Sequence, residues 1–203
     1  MKIIIATKNN GKLLEFKTLL ADLPLTITSL RAYPTIGELA ETGTSFAENA
    51  ALKAETVAQL TGVVTLADDS GLEVDILDGR PGIYSARFAG KQASDQENNM
   101  KLLLALRGVA PSARTARFRS VIALAQPTGK TVFAEGVCEG LIAAEPQGCG
   151  GFGYDPLFFV PELAQTFAQI PAEVKNSISH RARALAAVKT ILADLLAENR
   201  QRF

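Results

Sequence analysis

The chain has 203 residues, which is enough to bury one substantial hydrophobic core, and we expect a single domain over residues 1–203. Its 47% hydrophobic and 21% charged residues are typical of a soluble globular protein. The 21 basic and 21 acidic residues balance. This balance argues against an overall electrostatic surface for nucleic acid or an acidic membrane.

The cysteines, the histidine and the N-terminus narrow the chemistry further. Cys138 and Cys149 lack the spacing of a metal or redox motif, so we interpret them as reduced thiols. His180 is the only histidine, which excludes a site with several imidazole ligands and favours a hard, carboxylate-bound ion such as Mg²⁺. The N-terminal apolar run is too short for a signal peptide and no stretch reaches membrane-spanning length, so a cytoplasmic location is expected.

In the first half of the chain, strands alternate with helices. The polar residues 7–11 form a turn that leads into a helix whose apolar residues have helical spacing. Ser45 and Glu48 form a capping box for a second helix, which runs to about Leu60 and ends at Gly62. The predicted strands of this half are Lys2–Ala6, about Leu25–Leu30, Val63–Ala67 and Leu72–Leu77.

The second half indicates a mixed rather than a purely parallel sheet. Ser94 and Glu97 form a second capping box for a helix to about Arg107, and the last helix starts near Ser177 or Ser179. A long antiparallel hairpin and a short strand are also predicted, at Ala116–Ala125, Thr131–Ala143 and Leu157–Val160. The expected fold is therefore α/β, with a mixed, elongated central sheet and flanking helices in two lobes.

The segment from Thr7 to Lys12 lies where a strand passes into a helix. Backbone N–H groups and the helix dipole favour phosphate at such a position, and Lys12 adds a positive charge. The segment is not a Walker A loop, because Leu13 follows Lys12 where that motif has Ser or Thr. An N-capped helix on a polar turn is an equally good interpretation of this segment alone.

Asp68 and Asp69 follow an apolar strand. Two adjacent carboxylates beside a buried strand are costly unless something compensates their charge, and a divalent cation can do so. Because neighbouring side chains at the end of a strand point in different directions, we expect one carboxylate in the site and the other in a supporting role. A solvated acidic turn is the alternative interpretation.

Two later segments complete the candidate set. The glycine-rich residues 148–156 permit close backbone approach to a ligand, and Phe152 or Tyr154 can stack on a base. His180 and Arg181 fall in the first turn of the last helix, where cations are electrostatically misplaced unless an anion or electron-rich ligand lies nearby. The alternatives are a glycine-rich turn with core aromatics and an ordinary surface histidine.

Together these segments resemble the inosine triphosphate pyrophosphatase family, the dITP/XTP pyrophosphatases that clear non-standard purine nucleotides. The resemblance covers nearly the whole chain. It is carried by five blocks in order: Thr7-x-Asn9-x-x-Lys12; Glu41-Thr42-Gly43-Thr44-Ser45-Phe46-x-Glu48-Asn49-Ala50 with Lys53; Ala67-Asp68-Asp69-Ser70-Gly71-Leu72 with Pro81-Gly82-Ile83-Tyr84-Ser85-Ala86-Arg87; Gly151-Phe152-Gly153-Tyr154-Asp155-Pro156-x-Phe158; and Ser179-His180-Arg181.

The resemblance implies a role for each matching residue. Asp69 is the implied general base and metal ligand, Glu41 is the second Mg²⁺ ligand, and Phe152 is the stacking face for the purine. The implied triphosphate and substrate contacts are Thr7, Lys8, Asn9, Asn10, Gly11, Lys12, Lys53 and Ser70. The implied base and sugar contacts are Gly153, Tyr154, Asp155, Lys175, His180 and Arg181, with Arg181 and His180 as donors to the 6-oxo group; Arg87 is implied near the site with less support.

The implied activity is Mg²⁺-dependent hydrolysis of ITP, dITP and XTP to the monophosphate and pyrophosphate, by a homodimer that binds neither nucleic acid nor membrane. Two alternatives stay open at this point. A non-catalytic nucleotide sensor would not need both Glu41 and Asp69. A pyrophosphatase of similar fold for modified pyrimidines would not need the blocks around Phe152 and His180.

Overall fold

The fold is described from a computed structural model, which defines the backbone of residues 1–200 and the side chains of residues 1–197. Within these residues no helix is both long enough and apolar enough to cross a membrane. The helices are α1 (Asn10–Leu19), α2 (Phe46–Thr61), α3 (Asp95–Ala105), α4 (Ala172–Ile178) and α5 (His180–Arg200). The strands are β1 (Lys2–Ile5), β2 (Thr26–Ser29), β3 (Thr65–Val74), β4 (Thr115–Ala125), β5 (Thr131–Ile142), β6 (Phe158–Val160) and β7 (Gln165–Thr166).

The strands form a seven-stranded sheet in the order β2-β1-β3-β4-β5-β6-β7. β1 pairs parallel with β2 and with β3, and Ile4 lies opposite Thr28 on one side and Thr65 on the other. β6 pairs antiparallel with β5 and with β7. The predicted α/β class with a mixed sheet is therefore confirmed.

The chain divides into two compact units. Among the described residues, the first contains Met1–Asp69, Ser120–Gly136 and residues 181–200, and the second contains Ser70–Arg119 and Val137–His180. Aliphatic side chains from β1, α1, α2 and α5 fill two buried clusters of the first unit. The core of the second unit includes three phenylalanine rings in mutual contact, with centroids 4.6 to 5.8 Å apart: Phe118, Phe158 and Phe167.

Two helices begin where the local sequence predicts. Ser94 accepts a hydrogen bond from the Glu97 N–H, and the Glu97 carboxylate accepts one from the Ser94 N–H, so the capping box of α3 is complete. Ser45 caps α2 by accepting from the Glu48 N–H at 3.2 Å, and the Glu48 carboxylate accepts from the N–H and the hydroxyl of Thr44. Both helices thus start from short-range hydrogen bonds.

The structure corrects the prediction for the acidic segment. Asp68 and Asp69 do not lie in a turn between two strands, because β3 runs without interruption from Thr65 to Val74. Both carboxylates are buried in the middle of this strand. The expected second strand ends early, since residues 75–77 form a short 3₁₀ turn.

The last helix begins where the sequence predicts, because α5 starts at His180, directly after Ser179. The sequence does not predict the short helix α4 before it, which Ser179 separates from α5 by its extended backbone. Lys175 lies within α4 and ahead of the last helix, and His180 and Arg181 begin α5 as expected. The predicted apolar stripe of α5 is present, with Leu185, Val188 and Leu192 buried and Leu195 packed against them.

Candidate functional site

The loop between β1 and α1 is held by its own polar side chains. Asn9 caps α1 by accepting from the Lys12 N–H at 3.0 Å, and the Thr7 hydroxyl accepts from the Asn9 N–H at 3.1 Å. Lys8 donates to the Gly37 carbonyl at 3.4 Å. Asn10 and Gly11 form the start of the helix itself. The N-capped helix is thus present, and phosphate binding by these residues stays a prediction.

Lys12 points back into the first unit and pairs with Asp68. Its Nζ lies 2.7 Å from Asp68 Oδ2. Burial lowers the pKa of Lys12 against the opposing pull of Asp68. The ammonium therefore lies in a partly desolvated position, where an electrostatic contact is stronger than at an exposed surface.

Asp68 is the centre of a buried charge network. Its Oδ2 also accepts from Arg181 Nη2 at 3.1 Å, and its Oδ1 accepts from the Ser120 hydroxyl at 2.5 Å. Burial raises the pKa of Asp68, but the charges of Arg181 and Lys12 outweigh burial and hold it well below its usual range. Arg181 also donates to Glu15. The anions that stabilise Arg181 at the start of α5 are thus the protein's own carboxylates.

Asp69 forms a separate network with α2 and with the segment before it. Its Oδ1 accepts from Lys53 Nζ at 2.7 Å, and its Oδ2 accepts from Asn49 Nδ2 at 3.4 Å. Lys53 Nζ also donates to Glu41 Oε1 at 3.1 Å. Burial raises the pKa of Asp69 by more than Lys53 lowers it. Two adjacent aspartates thus have different partners, as expected for successive residues of a strand.

Glu41 and Asp69 fit a hard divalent cation, because both carboxylates converge on the one ammonium of Lys53. The oxygens of Asp68 face a different set of donors, namely Lys12, Arg181 and Ser120. Among the residues that the structure describes, no cluster of three or more His, Cys, Asp or Glu could enclose a metal. Such a pair suits Mg²⁺, which is usually held by one or two carboxylates together with water and substrate phosphate.

The glycine-rich segment of the second unit is organised around Asp155. Its Oδ2 accepts from the Phe152 N–H at 2.9 Å and from Lys175 Nζ at 2.5 Å. The same ammonium lies 4.8 Å from the centroid of the Phe152 ring. Because Gly151 has φ +74° and a Cβ there would lie 2.0 Å from Asp155 Oδ2, only glycine fits this approach. Asp155 thus holds the backbone N–H of Phe152 and the ammonium of Lys175, which lies over the Phe152 ring.

Helix α3 supports the same segment from its first turns. The Gly153 N–H donates to Asp95 Oδ2 at 2.6 Å, and the Gly153 carbonyl accepts from Asn99 Nδ2 at 3.0 Å. The next residue, Tyr154, is buried and donates its hydroxyl hydrogen to the Ser85 carbonyl at 2.9 Å. Burial, with a contribution from Asp95, raises the pKa of Tyr154. Both main-chain hydrogen-bonding groups of Gly153 are therefore held by one helix.

The contacts of the remaining predicted residues, His180, Ser70 and Arg87, do not test their implied roles. His180 is buried, with its ring stacked on Phe118 at a centroid distance of 4.8 Å. Ser70 follows Asp69 in β3 and is half-buried. Arg87 lies over the Tyr84 ring, 5.2 Å from its centroid. Their implied contacts with a substrate stay predictions.

Sequence reasoning assigned no role to several residues that hold these groups. Asn49 lies inside a quoted motif and Ser120 in a predicted strand, but neither has a pattern that indicates its contact. Glu15 lies one helical turn from Lys12 on α1, but this i,i+3 spacing does not indicate its contact with Arg181. The capping motif marks the start of α3, but it does not indicate that Asp95 and Asn99 bind Gly153.

Comparison with known proteins agrees with this fold. Residues 3–191 match the Ham1 family. A dITP/XTP pyrophosphatase of Listeria innocua is 55% identical over 195 residues, which cover 96% of each chain.

Solved structures agree as well. A HAM1 protein from Coxiella burnetii (42% identity, TM-score 0.87) and the Ham1 protein of Staphylococcus aureus (41%, 0.85) each match over 96% of this chain and 99% of their own. This chain belongs to the Ham1 family.

Proposed function

We propose that this protein is a Mg²⁺-dependent dITP/XTP pyrophosphatase, which hydrolyses ITP, dITP and XTP to the monophosphate and pyrophosphate. The convergence of Glu41 and Asp69 on a single cation position carries the proposal. The Listeria relative, which bears the name dITP/XTP pyrophosphatase, supports it across nearly the whole chain. The function is removal of non-standard purine nucleotides from the nucleotide pool.

The reaction needs a base and a positive surface for the phosphates. Asp69 accepts a proton from the water that attacks the α-phosphorus, as a general base. The bond from the α-phosphorus to the oxygen that bridges to the β-phosphorus breaks, so pyrophosphate leaves. Lys12 and Lys53, with the loop from Thr7 to Gly11, bind the phosphates. Mg²⁺, held by Glu41 and Asp69, supplies charge that offsets the phosphate oxygens.

Recognition of the purine base rests on Phe152, Lys175, His180 and Arg181. Phe152 stacks on the purine, and the hydrogen bonds from the Phe152 and Gly153 N–H groups to Asp155 and Asp95 hold the backbone that carries its ring. The side chains of Lys175, His180 and Arg181 supply polar contacts, including donors to the 6-oxo group. A donor facing a 6-amino purine leaves both groups poorly satisfied, and such mismatches discriminate strongly.

The proposed donor role of Arg181 has to be compatible with the two carboxylates that its guanidinium already contacts. Its Nη1 and Nη2 donate to Glu15 and Asp68. Any contact of this guanidinium with a base has to be made alongside those carboxylates or at their expense. Arg181→Lys should therefore change the preference for ITP over dATP if the contact is made.

A substrate panel tests the activity. Purified protein is incubated with Mg²⁺ and ITP, XTP, dITP, dATP, dGTP or modified pyrimidine triphosphates, and the products are separated. We expect monophosphate and pyrophosphate from the first three substrates, and none after EDTA until Mg²⁺ is restored. Release of single phosphate, absence of turnover, or preference for modified pyrimidines would each contradict the proposal.

The setting of the enzyme belongs to the same proposal. It is a cytoplasmic homodimer without a nucleic-acid or membrane partner, a view supported by its balanced charge and by the family resemblance. Light scattering on the purified protein measures the mass directly. A monomeric mass close to 21.6 kDa contradicts the dimer without bearing on the activity.

A further inference from the structure

The ammonium of Lys53 has the contacts of a bound metal ion. It donates to Asp69 Oδ1 at 2.7 Å, to Glu41 Oε1 at 3.1 Å and to the Asp68 carbonyl at 3.0 Å. A lysine ammonium has three N–H donors, so these three oxygens use all of them. Lys53 is only 7% exposed. It thus stands between the two carboxylates that a metal would need.

Electrostatics explain why a cation is needed at this point. Burial lowers the pKa of Lys53, but the carboxylates of Asp69 and Glu41 outweigh burial and raise it. The positive charge in turn offsets the repulsion between the buried carboxylate of Asp69 and the exposed carboxylate of Glu41. The acidic pair is therefore held by the protein's own cation.

The acidic pair is also held by contacts that do not involve Lys53. Asn49 donates from Nδ2 to Asp69 Oδ2, and its Oδ1 accepts from the Gly43 N–H at 2.9 Å. Gly43 lies two residues after Glu41. The amide of Asn49 thus connects the strand that carries Asp69 with the segment that carries Glu41, independently of Lys53.

We propose that Lys53 is the resident cation of the Glu41–Asp69 pair, and that a divalent ion takes its place only as the ammonium moves onto the nucleotide phosphates. The inference rests on the proposed function, because it needs a bound polyphosphate. A metal ion that entered alone would leave the buried ammonium without its acceptors, which is unfavourable. The phosphates provide new acceptors, so metal and nucleotide strengthen each other's binding.

The experiment measures Mn²⁺ binding, by the loss of its free electron paramagnetic resonance signal, to the full chain without nucleotide. In Lys53→Met the two acids lose their resident cation. We expect this variant to bind Mn²⁺ at least about 10-fold more tightly than the original protein, a change within the usual range of coupling between two sites. Lys53→Arg keeps the charge and should bind Mn²⁺ as weakly as the original protein. Mn²⁺ should also raise the Tm of Lys53→Met more than that of the original protein.

Two controls separate occupancy of the site from general charge. Lys17→Met removes an exposed charge from α1, and Lys12→Met removes a nearby charge that pairs with Asp68 rather than with the acidic pair. Neither should match Lys53→Met. Equal tightening in Lys12→Met, or unchanged or weaker Mn²⁺ binding in Lys53→Met, would overturn the inference.

Binding of α,β-methylene ITP supplies a second readout. In the original protein, Mn²⁺ should tighten binding of this analogue by about 10-fold or more, and in Lys53→Met the gain should fall towards unity. Equal gains in the two proteins contradict the inference. If the original protein hydrolyses ITP but this coupling is absent, only the proposed role of Lys53 fails. If the original protein does not hydrolyse ITP, the proposed function fails, and the Mn²⁺ titrations still decide the role of Lys53.

Discussion

Arg181 and Asp68 form an ion pair in which each side chain is only 1% exposed, with Nη2 3.1 Å from Oδ2. Residues 113 positions apart are joined by this contact, which ties the first turn of α5 to the middle of β3. Lys12 binds the same carboxylate oxygen from α1. Asp68, whose sequence neighbour is the proposed base, therefore anchors the buried guanidinium of Arg181 and the half-buried ammonium of Lys12.

Asp68→Asn should strongly destabilise the protein. The substitution preserves the side-chain size but leaves Arg181 and Lys12 with one carboxylate fewer, and breaking a buried pair costs about 3–5 kcal/mol. Urea denaturation measures the free energy of unfolding. The control is Asp22→Asn, which removes an exposed partner of Lys189 and should leave that free energy unchanged. Equal effects of the two substitutions would show that the buried network contributes little.

The loss of folding stability at acidic pH, which is the acid limb of the stability profile, should depend on Asp68. Arg181 and Lys12, acting against burial, depress its pKa in the folded state below the unfolded value of about 3.9. The ionised group therefore contributes stability above about pH 4, and the contribution is lost as the pH falls through the folded pKa. Asp68→Asn should lose less stability than the original protein between pH 5 and pH 3. Urea midpoints across this range, in EDTA, measure the difference.

Asp69→Asn should have the opposite effect on the same acid limb. Burial raises the pKa of Asp69 in the folded state, so protonation of this group stabilises the folded protein as the pH falls. Removing the group should make the acid loss steeper. If the two asparagine variants change the acid limb in the same direction, at least one of these pKa shifts has the wrong sign.

Asp69→Asn should abolish most turnover while preserving nucleotide binding. Loss of a general base costs about 10²–10⁴-fold in rate, whereas the phosphate contacts of Lys12 and the stacking of Phe152 remain. The kcat for ITP and the affinity for ITP in EDTA are the two measurements. A near-normal kcat in this variant removes Asp69 as the base.

Asn49→Asp should test whether Asn49 positions the carboxylate of Asp69 for catalysis. An aspartate can still accept from the Gly43 N–H, but it places a carboxylate where Asn49 donates to Asp69. We expect the kcat for ITP to fall about 10–100-fold, as for other residues that orient a metal ligand, with little change in KM. Both variants should also lose stability, Asn49→Ala by about 1–3 kcal/mol because the Gly43 N–H is left without a partner, and Asn49→Asp because it buries a second carboxylate beside Asp69. A normal kcat in Asn49→Asp contradicts the positioning role.

Gly151→Ala should disturb the segment that carries Phe152. Its positive φ costs an alanine about 1–2 kcal/mol, and the added Cβ would also displace the Asp155 carboxylate from the Phe152 N–H. Gly129→Ala is the matched control, since Gly129 has φ +92° but no atom within 4 Å of a Cβ. Only Gly151→Ala should raise the KM for ITP. Equal KM values in the two variants would show that the contact with Asp155 does not affect the base platform.

The sequence alone determines the features that depend on near neighbours. The caps at Ser45 and Ser94, the end of α2 at Gly62 and the buried stripe of α5 all follow from residues within one or two helical turns. The family follows from ordered blocks of residues, which require no knowledge of contacts.

Only the tertiary structure decides what the charged residues do. Asp68 and Asp69 have the pattern of a turn, yet they lie mid-strand because cations from α1, α2 and α5 offset the cost of their burial. Asp155 has the pattern of a polar turn residue, yet it is buried beside the ammonium of Lys175. A buried charge is tolerated only when a partner lies within a few ångströms. These partners are 16 to 113 residues away along the chain, a distance at which local sequence patterns carry no information.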